Sequence, residues 1–193
     1  MLNLNSIQHC ANILGEILDF HGPADMKLSN YYREHGELGQ KDRGEIAECI
    51  YGIIRRLRFL KKINEDDSNY KKLVIAWLIK TEGRSIRELE HGLSKDEIEW
   101  AKSLKSRDTE NYTWPEKLSL PDWLWDLLVE QYGLEEAIDL GRSFLEPAKL
   151  DMRVNTIKIS RDDLVDELAK DTTDIEVMTY SPSGIRIARG TSL

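Results

Sequence analysis

Apolar residues recur every three or four positions through most of residues 1–105, which is the period of α-helices with one buried face. The period of two that is typical of a strand does not occur there. We therefore predict an all-helical domain for this part of the chain. Its apolar stripes are Ile7, Cys10, Ala11, Leu14, Ile17 and Leu18; Met26, Leu28, Tyr31 and Tyr32; Ile46, Cys49, Ile50, Ile53, Ile54, Leu57 and Leu60; and Leu73, Val74, Trp77 and Leu78.

Residues that cap or break helices mark the expected ends of these segments. Asn5 or Ser6 can cap the first helix, and Gly22-Pro23 ends it and opens the second. The longest stripe predicts one uninterrupted helix over residues 41–62. Two pairs with the spacing of a capping box then predict short helices, namely Ser85 with Glu88 and Ser94 with Glu97.

The pattern changes after residue 105. Residues 106–119 are polar and poor in apolar side chains, so we expect a linker between two domains. Two helical patterns follow between Pro121 and Pro147, and Gly133 separates them. Residues 120–193 therefore begin with a helical hairpin.

From Leu150 the period falls to two, which predicts a strand whose apolar side chains face a core and whose Arg153 and Asn155 point away from it. Ile157 and Ile159 would fall on the polar face of a longer strand. We therefore expect a bulge or turn near Asn155, whose side chain can bond nearby backbone.

The remaining segments predict a helix, a strand, a turn and another strand. Ser160 can cap the helix, with Asp163 three residues on and Leu164, Val165 and Leu168 as its core face. We expect strands at residues 175–180 and 185–189, joined by a turn at 181–184. The predicted fold is mainly α, with a helical domain (1–105), a linker (106–119) and a helical hairpin followed by the start of a small, incomplete α/β domain (120–193).

Charge is distributed unevenly along the 193 residues. The net charge of −8 argues against general coating of nucleic acid. Residues 38–62 nevertheless carry seven basic and three acidic side chains, whereas residues 115–147 carry two basic and eight acidic ones. On one long helix, Arg55, Arg58 and Lys62 would share a face that can contact phosphate.

Composition excludes several other classes of protein. Two cysteines, Cys10 and Cys49, lie on apolar helix faces, and we expect both to be buried and neither to be catalytic. His9, His21, His35 and His91 show no ligand spacing, so no metal site is predicted. The first ten residues lack the basic start and apolar centre of a secretory signal, and there is no apolar run near the ~20 residues of a membrane helix. We therefore expect a cytoplasmic protein without a membrane partner.

An ordered set of motifs resembles the RsmB/NOP/Sun family of RNA cytosine-C5 methyltransferases. LPDWL, YGLEEA and LDMRVNTIK, followed by SPSGIRIARGTSL, resemble the region before that family's catalytic domain. Residues 23–60, with Lys41-Asp42-Arg43 and Tyr51 to Arg55, resemble its NusB-like RNA-binding domain. The resemblance also implies that the α/β segment is similar to an RNA-recognition fold.

The resemblance implies ribosomal RNA, with 16S rRNA first, as partner, and S-adenosylmethionine as cofactor of the full-length enzyme. The chain itself has no Gly-x-Gly turn for the donor, and neither cysteine follows a proline as the family's catalytic cysteine does. We therefore expect no catalytic or cofactor-binding residue in this chain, and a catalytic domain as its missing C-terminal partner. The RNA-binding candidates are Lys41, Arg43, Arg55, Arg58, Lys62, Arg153 and Asn155.

Two alternatives stay open from the sequence. The chain could be a stand-alone NusB-like adaptor that binds RNA or protein without catalysis, and the acidic surface around Trp123, Trp125 and Glu130 would suit a protein partner. The candidate residues could also have structural roles. Arg43 would then pair within the helical bundle, and Asn155 would fix the bend after the strand.

Overall fold

A computed structural model of the chain describes residues 4–65, 69–170 and 174–187. It is mainly helical with one small sheet, which confirms the predicted fold class. The elements are α1 (Leu4–Ile17), α2 (Ala24–Glu34), α3 (Gln40–Arg55), α4 (Leu57–Asn64), α5 (Tyr70–Lys80), α6 (Ile86–Leu89), a 3-10 turn (Glu90–Gly92), α7 (Lys95–Ser106), α8 (Trp114–Lys117), α9 (Asp122–Tyr132), α10 (Leu134–Phe144), β1 (Leu150–Arg153), α11 (Arg161–Leu168), β2 (Ile175–Val177) and β3 (Gly184–Ile187).

Helix α5 is the centre of the helical core. It packs on α1, α3, α4 and α7, and its residues from Leu73 to Ile79 are all buried. A helix that is apolar on all sides needs neighbours on all sides. The stripes predicted for α1 and α3 face it, with Leu14 and Ile50 fully buried. At Gly52, helix α3 approaches α5 so closely that an added Cβ would lie 2.6 Å from the Trp77 Nε1.

The helix predicted over residues 41–62 is wrong as a single element, because the backbone breaks at Arg56. This residue has φ −115° and ψ 19°, and its N–H bonds to the Ile53 carbonyl at 3.0 Å. Helix α4 then begins at Leu57 and packs on α5. Leu60 and Ile63 are fully buried there. Tertiary packing thus overrides the continuous periodicity of the sequence.

Predicted helix ends are confirmed at three places and wrong at one. Ser85, Ser94 and Ser160 each accept a hydrogen bond from the backbone N–H three residues on. Helix α1 instead extends back to Leu4, so Ser6 lies within it and is 1% exposed. Among the described helices, none is both long and apolar enough to cross a membrane.

Residues 106–119 are ordered against the helices, unlike the linker predicted from their composition. Arg107 donates to the Ile63 carbonyl at 2.5 Å, and Lys80 donates to the carbonyls of Lys105 and Arg107. Polar contacts to backbone hold the start of this segment, and its apolar residues Pro115 and Leu118 are buried. The chain divides instead into compact units of residues 1–145 and 146–193.

The second unit is an antiparallel sheet with strand order β1-β3-β2 and helix α11 packed on β3. The element order strand, helix, strand, strand is confirmed. Because β3 lies between β1 and β2, the arrangement is that of a split β-α-β with a hairpin, as in ferredoxin-like domains. Ile185 and Ile187 are fully buried, and Leu164, Val165 and Leu168 of α11 are half-buried.

The strand β2 and the turn that follows it can be compared with the predictions. The strand expected at residues 175–180 ends at Val177. The turn at 181–184 is confirmed by a hydrogen bond from the Gly184 N–H to the Ser181 carbonyl at 3.2 Å. Ala188 and Arg189, predicted to continue the last strand, lie outside the described residues.

Candidate nucleic-acid interface

A cleft of about 450 Å³ opens at the end of β1. Arg153 and Asn155 line it together, as the sequence predicted for residues of one polar face, and both are exposed. Val154 between them is buried, and its N–H donates to the Ser183 carbonyl at 2.8 Å. The remaining lining residues are Thr156, Ile157 and Ser183.

Asn155 forms the bend that ends β1, as predicted. Its side-chain Oδ1 accepts from the Ile157 N–H at 3.2 Å, and its carbonyl accepts from the Lys158 N–H at 2.9 Å. Because this bond uses only Oδ1, the Nδ2 group of Asn155 keeps its donor capacity. No carboxylate within residues 146–170 and 174–187 pairs with Arg153. The cleft thus offers a guanidinium and an amide donor side by side.

The outer face of the sheet carries a network of ion pairs. Arg186 donates to both carboxylate oxygens of Asp151, at 2.5 and 2.8 Å, and Lys149 contacts Glu176 at 2.5 Å. Hydrogen bonds from Arg186 lower the pKa of Asp151. Strand residues on this face are Asp151, Arg153, Glu176, Gly184 and Arg186, and none of these is aromatic. Base stacking on the sheet, as RNA-recognition folds use, therefore has no platform on these strands.

In the helical unit, Arg58 and Lys62 bind protein groups rather than forming an open basic face. Arg58 donates to the Leu120 carbonyl and to Asp122 Oδ1, the latter at 2.8 Å. Lys62 lies 3.2 Å from Glu116 and above the Tyr112 ring. Both cations thus hold the segment that leads into α9. The prediction that they share a face with Arg55 required one continuous helix. The break at Arg56 divides that helix into α3 and α4.

The three candidates on α3 have different surroundings. Arg43 is half-buried, donates to the Leu38 carbonyl at 2.9 Å and lies above the Tyr32 ring. These contacts within the bundle correspond to the structural role considered for Arg43 above. Arg55 lies 3.5 Å from Glu48. Lys41 is exposed, and the structure gives it no ion pair with any described residue. Of the predicted basic candidates on α3 and α4, Lys41 is the most available to an external ligand.

Neither cysteine has the environment of a nucleophile. Cys10 and Cys49 are fully buried, as predicted, and burial raises the pKa of the Cys49 thiol well above its usual value. A reactive thiolate needs an accessible and electropositive setting. The thiols thus act as small apolar groups in the core.

The described residues also do not fit the methyl donor that the resemblance implies. A nucleotide-like cofactor needs a glycine turn between a strand and a helix so that backbone can approach it. The connection from β1 to α11, residues 154–160, contains no glycine and is closed by the Asn155 turn. We therefore assign no residue of this chain to S-adenosylmethionine.

Histidine spacing predicted no metal site, yet the fold brings three potential ligands together. Nitrogen or oxygen atoms of His9, His35 and Glu37 all lie within 4.8 Å of one another. The residues come from α1, from the end of α2 and from the loop that follows. The only local signal in the sequence is His35 two residues before Glu37.

The fold and the cleft at β1 define a ferredoxin-like unit that follows a helical unit. Residues 120–193 match the family described as Methyltr_RsmF/B-like, ferredoxin-like domain. The chain is 32% identical over 80 residues to the probable ribosomal RNA small subunit methyltransferase B of Synechocystis sp., covering 42% of this chain and 18% of that protein. It is 24% identical to the protein with the same description from Bacillus subtilis, covering 80% of this chain and 42% of that protein.

A solved structure shows the same fold over nearly the whole chain. The crystal structure of PH0851 superposes with a TM-score of 0.60 at 14% identity, over 97% of this chain and 49% of that one. The chain thus spans about half of that protein and less than half of the two curated relatives. Residues 120–193 thus resemble the ferredoxin-like domain of the RsmF/B-like family, and parts of the chain are similar to two proteins described as ribosomal RNA small subunit methyltransferases.

Proposed function

We propose that this chain is the RNA-binding and positioning region of an S-adenosylmethionine-dependent ribosomal RNA cytosine-C5 methyltransferase. The observation that carries the proposal is the cleft of Arg153 and Asn155, which lies within the segment matched by the RsmF/B-like family. The two curated relatives are described as ribosomal RNA small subunit methyltransferases, which favours 16S rRNA as the partner. Action on ribosomal RNA would place the protein in the cytoplasm.

The chemistry of the cleft suits an RNA backbone or an unpaired base. The Arg153 guanidinium and the Asn155 Nδ2 are donors that can bind phosphate oxygens or a base edge. Ile157 and Tyr180 in the same unit are 96% and 99% exposed, so apolar and aromatic surface is available for stacking. Because phosphate contacts fix register without reading sequence, we assign Arg153 to positioning the RNA.

The helical unit would add affinity at a second place. Residues 1–105 form the NusB-like part of this proposal, with exposed Lys41 as its first phosphate contact and Arg55 as its second. Arg43, Arg58 and Lys62 support the fold through the contacts described above, and they bind RNA only if those contacts rearrange. Methyl transfer itself is assigned to a catalytic domain outside this chain, so the chain alone should not methylate RNA.

Binding to a 16S rRNA fragment, followed by fluorescence anisotropy at several salt concentrations, tests the positioning role. We expect Arg153→Glu to weaken binding and to reduce the slope of log K against log salt by roughly one, the value for one lost phosphate contact. Lys95→Glu is the matched control, because it makes the same change of charge at an exposed position of α7. Equal effects of the two variants would assign the loss to net charge and contradict the proposal.

A longer protein that includes the catalytic domain allows a second test. Arg153→Ala and Asn155→Gln should lower methylation of the rRNA substrate while the melting temperature stays within a degree or two. Asn155→Gln keeps the amide and moves it by one methylene, so it separates donor position from the presence of an amide. A melting temperature that falls in step with activity would reduce these residues to a structural role.

A protein-binding adaptor is the second candidate, and α9 and α10 favour it. Helix α9 contains no buried residue, and its Trp123 is 65% exposed. Leu127, Tyr132, Leu134 and Phe144 are about half exposed, among acidic side chains. Exposed apolar groups of this size are typical of contact surfaces. If Trp123→Ser abolished a protein complex while RNA affinity was unchanged and low, the adaptor would be the better assignment.

A further inference from the structure

A cluster of three side chains in the helical unit has the composition of a transition-metal site. His9 lies on α1, His35 is the residue that ends α2, and Glu37 lies two residues further on. Their potential ligand atoms are all within 4.8 Å of one another, although 26 positions separate the two histidines in sequence. The proposed RNA-binding role uses none of these residues.

The buried histidine is oriented by a neighbouring hydroxyl group. His9 is 8% exposed, and its Nδ1 lies 2.8 Å from the Tyr31 hydroxyl. When the hydroxyl oxygen accepts from Nδ1–H, the lone pair remains on Nε2, the nitrogen on the other side of the ring. Metal-binding histidines are commonly oriented in this way by a second hydrogen bond. In that tautomer His9 can bind a metal through Nε2.

The other two side chains are held together at the edge of the cluster. His35 Nδ1 lies 2.9 Å from Glu37 Oε1, and the His35 ring lies 5.0 Å from the His9 ring and 4.2 Å from the Tyr31 ring. Buried Leu38 anchors the loop through a hydrogen bond from its N–H to the His35 carbonyl at 3.2 Å. The side chain of Glu37 is 58% exposed, so an ion can reach the cluster from solvent.

We propose that His9, His35 and Glu37 bind a zinc ion, with water as the fourth ligand. Two imidazole nitrogens and one carboxylate oxygen are a recognised Zn²⁺ donor set, whereas Mg²⁺ and Ca²⁺ prefer oxygen ligands alone. Ligands about 2.1 Å from a tetrahedral ion lie about 3.4 Å apart, so ligand atoms as much as 4.8 Å apart must close by roughly an ångström. His35 Nδ1 and Glu37 Oε1 are 2.9 Å apart and must separate slightly. Exposed Glu37 and half-buried His35 can make this adjustment by rotation of their side chains.

Binding would join α1 to the end of α2 through a metal rather than through hydrogen bonds alone. A ligand that binds the folded state and not the unfolded one raises the stability of the fold. The ion would therefore add to the stability of the helical unit. It would act as a clamp between the first two helices and leave the thiols of Cys10 and Cys49 out of the coordination.

Calorimetric titration of the complete, tag-free 193-residue chain with ZnCl₂ tests the proposal. We expect one equivalent to bind with a dissociation constant in the micromolar range or below, and Co²⁺ to give the visible d–d bands of a tetrahedral complex. His35→Ala and Glu37→Gln should each weaken binding at least tenfold and remove the rise in melting temperature caused by zinc. Both changed residues reach solvent, so the variants should fold.

His91→Ala is the control, because His91 is exposed and lies outside the cluster. It should bind zinc as the unchanged chain does. The proposal is wrong if no saturable binding is observed, or if His35→Ala and Glu37→Gln bind zinc as tightly as His91→Ala. His9→Gln serves only as a supplement, because its buried ring could be needed for folding.

Discussion

The Arg58 Nη2 donates a hydrogen bond to Asp122 Oδ1 at 2.8 Å, across 64 positions of sequence. The same guanidinium donates to the Leu120 carbonyl, and the neighbouring Phe59 N–H donates to Ser119 Oγ at 3.1 Å. Phe59 lies in the first turn of α4, where backbone N–H groups have no partner within the helix. The segment from Ser119 to Asp122 thus caps the helix that begins after the break at Arg56.

Arg58→Ala should destabilise the helical unit by about 1–3 kcal/mol, because the half-buried Leu120 carbonyl loses its donor. Asp122→Ala should cost less than about 1 kcal/mol, since that carboxylate is exposed and the surrounding water screens it. Urea unfolding followed by tryptophan fluorescence measures both. Lys41→Ala, at an exposed position of α3, is the control and should change little. An Arg58→Ala variant as stable as the control would show that the contact does not hold the segment.

Two glycines of the same helix should respond in opposite directions to alanine. At Gly52 an added Cβ would lie 2.6 Å from Nε1 of buried Trp77, so Gly52→Ala should destabilise by about 1–3 kcal/mol. At Gly44 nothing lies within 4 Å of an added Cβ, so Gly44→Ala should stabilise by about 0.5–1 kcal/mol through helix propensity. The midpoints of urea unfolding give the comparison. Similar changes at both positions would contradict the close approach of α3 and α5.

The pKa of Asp151 should lie below its usual value of 3.8, because hydrogen bonds from Arg186 favour the charged carboxylate. Since the folded-state pKa is lowered, the stabilisation is fully present above pH 3.8 and is lost as the pH falls through the folded value. Titration of the carboxyl carbon by NMR measures it. Arg186→Gln should return the pKa toward 3.8.

Lys149→Gln separates the Asp151 effect from that of a nearby charge. Lys149 pairs with Glu176 and acts on Asp151 only through a weaker Coulomb interaction. We expect this variant to raise the pKa of Asp151 less than Arg186→Gln does, and to raise that of Glu176 more. If Lys149→Gln instead raised the pKa of Asp151 more than Arg186→Gln did, the two ion pairs would be assigned to the wrong partners.

S-adenosylmethionine should not bind this chain. The segment from Val154 to Ser160, which connects β1 to α11, has no glycine that would let the backbone approach the donor. Calorimetry with the donor should give only the heat of dilution. The same titration of a longer protein with the catalytic domain is the positive control. Saturable binding to the 193-residue chain would place a donor site in residues that carry none of the expected features.

Local patterns in the sequence predicted most of the fold. The stripes of α1, α3 and α5, the serine caps and the bend at Asn155 depend on neighbours within a few positions, so the sequence displays them directly. The break at Arg56 was missed because it depends on the packing of α4 against α5. The sequence did not predict that residues 106–119 pack on the helices, because their contacts, such as that of Arg107 with the Ile63 carbonyl, are with residues distant in sequence.

Among the candidate site residues too, contacts between near neighbours in sequence could be predicted and contacts between distant residues could not. Arg153 ends β1 and Asn155 lies in the bend two residues on, so the local sequence was enough to predict that they would lie side by side. Arg58 was predicted to face outward, but its partners lie more than 60 positions away. The cluster of His9 and His35 depends on how α1 meets α2. Spacing along the chain gives no sign of either relationship.

The cap on α4 also determines where this protein can be cut. The family match begins at Leu120, which is the residue whose carbonyl Arg58 binds. A fragment that ends at Ser119 would remove two of the partners of Arg58, and one that begins at Leu120 would carry α9 and α10 away from the helices that contact them. Expression of residues 1–145 keeps every one of these contacts. A functional dissection of the protein should therefore place its cut after Leu145, and proteases should find the Ser119–Asp122 segment a poor substrate.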